Sequence, residues 1–70
     1  MAIEKVTLPV ARKIANLSQK EFGLAVGVSE STVINWEKGR SEPTVSQAYK
    51  ISEITGIPLD GIIFLTSTTV

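Results

Sequence analysis

Glu30, Ser31 and Asn35 place a carboxylate, a hydroxyl and a carboxamide close together in the chain, and these groups suit hydrogen bonding better than bond making. The sequence has no histidine and no cysteine, so the commonest metal ligands and the usual neutral-pH proton shuttle are missing. Its seven carboxylates are scattered, with no recognisable pair for general acid–base work. No glycine-rich phosphate loop, H-E-x-x-H or G-x-S-x-G occurs either. Catalysis is therefore not expected, nor is a metal, a cofactor or a small-molecule ligand. The carboxylate, hydroxyl and carboxamide can hydrogen-bond the edge of another molecule. Asparagine can bond adenine through two hydrogen bonds, glutamate can accept from the cytosine amino group, and serine is permissive. Around these three stand Gln19, Thr32, Lys38 and Arg40, all donors suited to phosphate oxygens. Glu30 has a plainer use as well, as a favourable anion at a helix start.

Such side chains act only if rigid elements hold them, and residues 18–39, SQKEFGLAVGVSESTVINWEKG, supply two. Ser18 and Glu21 form an S-x-x-E capping box, which satisfies two orphan amides at the start of a helix from 19 to about 26. Gly27 can take the left-handed conformation that ends it. Ser29 supplies a second N-cap oxygen for a helix from 30 to 38, stopped at Gly39. Almost no loop separates the two. A pair crossing steeply can lay its second helix in a major groove while the first spans the phosphate backbone. In that arrangement the exposed first turn of the second helix enters the groove, with Asn35 one turn after Ser31. Gln19 sits where its amide and the helix amino end can both meet a phosphate. Lys38 and Arg40 flank the end of the reading helix, and Lys13 and Lys20 read as plain solvated charges.

The string L-S-Q-K-E-x6-V-S-x-S-T-x-x-x-W-E-x-G, residues 17–39, resembles the helix-turn-helix proteins of the phage repressor and Cro type, the lambda-repressor-like XRE family. The likeness takes in Arg12 upstream, and downstream Pro43 and residues 56–60, so it covers roughly residues 8 to 65. It implies an all-α, five-helix DNA-binding domain, with base reading by Glu30, Ser31 and Asn35 and phosphate contact by Gln19. It also implies a structural salt bridge between Arg12 and Glu37, tying the first helix to the third. Residues 56–65, GIPLDGIIFL, are similar to the corresponding segment of small phage and prophage regulators.

The remaining residues form a short frame. Seventy residues make one domain, 1–70, which at this size buries about 60% of the unfolded chain's surface. Net stability of roughly 5 kcal/mol is expected. Residues 2–6 alternate weakly as a short strand, and Thr7 is placed to cap a first helix from 8 to about 16. Leu8, Ala11 and Ala15 would face the core. In the second helix Phe22 and Val26 form an apolar pair. Gly23 either permits a close approach or is a weak point costing roughly 1 kcal/mol relative to alanine. Val33 and Trp36 are the buried face of the third helix. A fourth helix from about 44 to 55 carries Val45, Ala48 and Ile51 at spacing three, and a short fifth follows Pro58, within residues 44–65 overall. Leu59, Ile62, Ile63 and Phe64 exceed what one short amphipathic face can hide. Either the tail TSTTV turns back as a strand, beside residues 2–6, or this surface meets another subunit.

Net charge is zero, but residues 1–40 carry six basic against four acidic residues and residues 41–70 one against three. The half with the helix pair is the basic half. The longest apolar run, residues 62–65, is far too short to cross a bilayer. Absence of cysteine fits a reducing, cytoplasmic setting. The expected function is sequence-specific binding of double-stranded DNA by a Cro-like or small controller protein. The expected form is a homodimer through the fifth-helix region. The rival from another class is an antitoxin or anti-repressor that uses the apolar fifth helix to bind protein.

Overall fold

The computed structural model describes residues 5–64. The chain enters as a strand β1 (Val6–Thr7) and runs through four helices, α1 (Leu8–Ile14), α2 (Gln19–Val26), α3 (Glu30–Glu37) and α4 (Val45–Thr55). A 3-10 turn, Leu59–Gly61, then leads into a strand β2 (Ile62–Ile63). Leu8, Ala11, Phe22, Val26, Val33, Trp36, Ile51 and Ile62 form the core, so every element from α1 onward except the 3-10 turn contributes to it. Val6, Leu17, Val28, Ile54, Ile57 and Phe64 pack around its margin.

The expected fifth helix is absent among the described residues. In its place Ile62 and Ile63 form a strand that pairs in parallel with Val6 and Thr7. Two consecutive β-branched residues suit a pleated strand, where successive side chains face opposite ways. Ile62 is buried and Ile63 is 40% exposed. This corrects the sequence reading of Ile62 as surface: it belongs to the core, and Phe64 packs against the core's edge. The strand expected near residues 2–6 is seen at Val6–Thr7, and its partner is β2; the tail TSTTV lies outside the described residues.

Several boundaries also move. Thr7 occupies the N-cap of α1, yet its side chain makes no capping hydrogen bond. The helix ends at Ile14, with Asn16 in the left-handed region at φ 60°. Asparagine tolerates that region better than other side chains, so it closes the helix where a glycine would be the usual choice. Lys38 caps α3 and stands outside it. Thr44 is the N-cap of α4, forming a second capping box with Gln47: Gln47 N donates to Thr44 Oγ1 at 3.2 Å, and Thr44 N to Gln47 Oε1 at 2.8 Å. Of the spaced triplet on α4 only Ile51 is buried, and Val45, in the first turn, is 72% exposed.

Candidate nucleic-acid interface

Local bonds set the two central helices. Glu21 N donates to Ser18 Oγ at 3.0 Å and Ser18 N to Glu21 Oε1 at 2.8 Å, so both halves of the capping box are made. The backbone hydrogen bond to Ser18, aided by its side chain, holds the Glu21 carboxyl below its ordinary pKa. Gly27, at φ 94°, then reverses the chain, and Gly27 N and Val28 N both donate to Gly23 O. Gly23 allows the turn to close over the helix: a Cβ there would lie 2.8 Å from Val28 O and 3.2 Å from the Ser29 carbonyl. The close-approach reading of Gly23 therefore holds, against backbone that cannot step aside. Ser29 begins α3 by accepting from Thr32 N at 3.1 Å.

A second set of bonds fixes α3 against the other helices. Arg12 Nε donates to Glu37 Oε2 at 2.7 Å and Nη2 lies 3.4 Å from Oε1, with both side chains largely buried at 11% and 8% exposure. The remaining Arg12 fork donates from Nη1 to Leu17 O at 2.9 Å. Gln19 Nε2 also donates to Glu37 Oε1, at 2.9 Å. The last residue of α3 is thus gripped from α1 and from the first turn of α2. Arginine suits this place because its planar fork serves a carboxylate and a carbonyl together.

Above this clamp the first turn of α3 is free. Glu30 and Ser31 are exposed, and Asn35 is half-buried. Asn35 also accepts Arg40 N on its carbonyl at 2.9 Å, which draws the chain after Gly39 back alongside the helix. Lys38 and Arg40 are exposed beyond its end. Thr32 differs from these: it is half-buried, with its hydroxyl 3.0 Å from Ser29 Oγ. Gln19 is half-buried and engaged with Glu37. The structure therefore groups Glu30, Ser31 and Asn35 on one element, sets Lys38 and Arg40 past its C-terminal end, and ties Gln19 into the clamp.

Two features escaped the sequence reading. The Thr44–Gln47 box carries a T-x-x-Q signature and was legible. The Gln19–Glu37 bond spans two helices and had no local signal. Among the described residues no group of three or more histidine, cysteine, aspartate or glutamate side chains could hold a metal ion. No helix there is long and apolar enough to cross a membrane.

The chain is 34% identical over 58 residues to an HTH-type transcriptional regulator of Methanocaldococcus jannaschii, covering 83% of this chain and 88% of that protein. Another such regulator, from Archaeoglobus fulgidus, is 34% identical over 47 residues, which are 67% of this chain and 66% of the relative. A third, from Haemophilus influenzae, is 40% identical over 40 residues, 57% of this chain but only 17% of a much longer protein. No solved structure matches. The helix-turn-helix family model matches residues 10–62, a span that contains the capped pair, the clamp and α4. With both helices capped, the glycine turn closed and the family pattern matched over most of its length, the chain belongs to the helix-turn-helix family.

Proposed function

We propose that this protein is a transcriptional regulator that binds double-stranded DNA by sequence, a small operator-binding protein of the Cro-like or controller kind. The observation that carries the reading is the exposed first turn of α3, with Glu30 and Ser31 free on a helix whose far end is clamped by Arg12 and Gln19. A helix held at its C-terminal end and bare at its N-terminal end can enter a major groove without rearranging the domain. Glu30, Ser31 and Asn35 read base edges. Gln19, Thr32, Lys38 and Arg40 contact phosphates and fix the register.

The protein acts as a homodimer on an operator of roughly two-fold symmetry, with reading helices in successive major grooves about 34 Å apart. Exposed Ile63 and half-buried Leu59 lie on the segment that serves this contact, while Ile62 and Phe64 support it from the core side.

Selection from random duplexes tests the reading, followed by two substitutions. Asn35→Ala is expected to abolish preference at one position, an adenine. Glu30→Gln is expected to relax preference at a different position by about 1–3 kcal/mol while raising affinity for unrelated duplexes, because a carboxylate in a negatively charged groove is repelled except where it accepts from cytosine. A selected consensus that survives both changes would remove α3 as the reader. If Glu30→Gln raised affinity for every sequence equally, Glu30 would serve only the helix start.

A further inference from the structure

Gln19 stands at a junction that the phosphate role alone does not explain. It is the first residue of α2, and its Nε2 donates to Oε1 of Glu37, the last residue of α3, at 2.9 Å. Arg12 from α1 already pairs the carboxylate's charge, with Nε donating to Oε2 at 2.7 Å and Nη2 reaching Oε1 at 3.4 Å. Gln19 therefore adds direction rather than neutralisation. Arg12 holds Oε1 only by its long bond, and the shorter bond from Gln19, on a different helix, restrains the freedom that remains at that oxygen. An ionised carboxylate only accepts, so the NH2 end of the amide must be the end that faces Glu37. One of its two N–H groups is used there, which leaves the other for a second acceptor.

We infer that Gln19 is a positioning residue for the reading helix: by holding Glu37 it sets the angle at which α3 meets DNA, so one side chain joins phosphate contact to base discrimination. The inference rests on the DNA-reading function proposed above. A residue that contacts only phosphate changes affinity for all duplexes by one factor. A residue that also orients α3 changes the ratio between a preferred duplex and a random one.

Two readouts on the full 70-residue chain keep this inference and the function beneath it apart. In the free protein, Gln19→Ala places a good helix former at the half-buried first position of α2 and so preserves that helix; its backbone amide NMR signals are compared with wild type. Signals of residues 34–40 are expected to shift, and unmoved signals would overturn the clamp whatever the DNA result. With DNA, affinities for a selected and a random duplex are measured for wild type, Gln19→Ala and Arg40→Ala. Arg40→Ala is expected to weaken both duplexes by the same factor. Gln19→Ala is expected to lower the selected-to-random ratio by about three- to tenfold, the scale of one ordinary net hydrogen bond. An unchanged ratio in a protein that discriminates would leave Gln19 a phosphate ligand only and overturn the inference. A wild type that prefers no duplex would overturn the DNA reading and the consequence for discrimination with it.

Discussion

Residues 18–39 and residues 57–64 bury similar side chains by different means. In the first segment the bonds are made within a few residues: Ser18 with Glu21, Ser29 with Thr32, and Gly27 and Val28 with Gly23. In the second, the ordering partner is remote in sequence, since β2 exists by pairing with Val6 and Thr7. Its near tethers are Ser52 Oγ donating to Ile57 O at 2.7 Å and Ile57 N donating to Thr55 Oγ1 at 3.3 Å. Local bonds let the helix pair keep its shape as a unit, and the clamp on Glu37 then seats that unit on α1. The terminal strands do the reverse: they add little shape of their own and close the core by carrying Ile62 into it. A DNA reader needs the first kind of rigidity at its reading helix and can accept the second kind away from it.

The contrast can be broken first at the clamp. Arg12→Met leaves a largely buried Glu37 without its cation, a change worth about 3 kcal/mol, whereas an exposed pair would be worth under about 1. A thermal melt is expected to fall by at least several degrees, with the preferred DNA sequence unchanged; a melt equal to wild type would show that the pair does not hold α3. Next comes the strand. Ile62→Ala is expected to cost about 2 kcal/mol by urea unfolding, while Ile63→Ala costs under about 1, because only one face of β2 is buried. Equal costs would contradict strand alternation. The turn gives a smaller effect. Gly23→Ala gains roughly 1 kcal/mol of helix propensity but drives a Cβ into the backbone of residues 28 and 29, for a net loss of about 1 kcal/mol. A more stable variant would show that the turn can move away.

The smallest effect belongs to the capping box, and it depends on pH. Because the Ser18 hydrogen bonds lower the pKa of Glu21 in the folded state, its contribution is fully present above the unfolded carboxylate value, about 4.3, and is lost as pH falls through the lower folded value. The difference in melting temperature between wild type and Glu21→Gln is therefore expected to shrink on acidification from neutral pH to below that range. A difference independent of pH would mean that the ionised form of Glu21 is not what the box uses.

Legibility followed the same divide. The capped pair was readable because its signals are local: S-x-x-E, a glycine where φ is positive, and a serine before the next apolar period. The fifth helix was misread because an apolar run as short as GIIF has no period that separates helix from strand, and the deciding partner, Val6–Thr7, is distant in sequence. On α4 the spacing of Val45, Ala48 and Ile51 marked a face without saying whether Val45, in the first turn, reaches the core. For the interface, residue types and their place on α3 could be named from sequence, while the Gln19–Glu37 bond could not, since it depends on how α2 and α3 cross.

The central claim is that a clamped α3 reads duplex DNA while neighbouring cations and amides hold the phosphates, and the salt dependence of binding tests it most directly. If each subunit of the proposed dimer neutralises roughly three or four phosphates, affinity for a selected duplex should fall with a log–log slope of about −5 to −7 in monovalent salt. A slope near zero, or no binding at low salt, would contradict the claim and turn attention to protein binding by the apolar C-terminal segment.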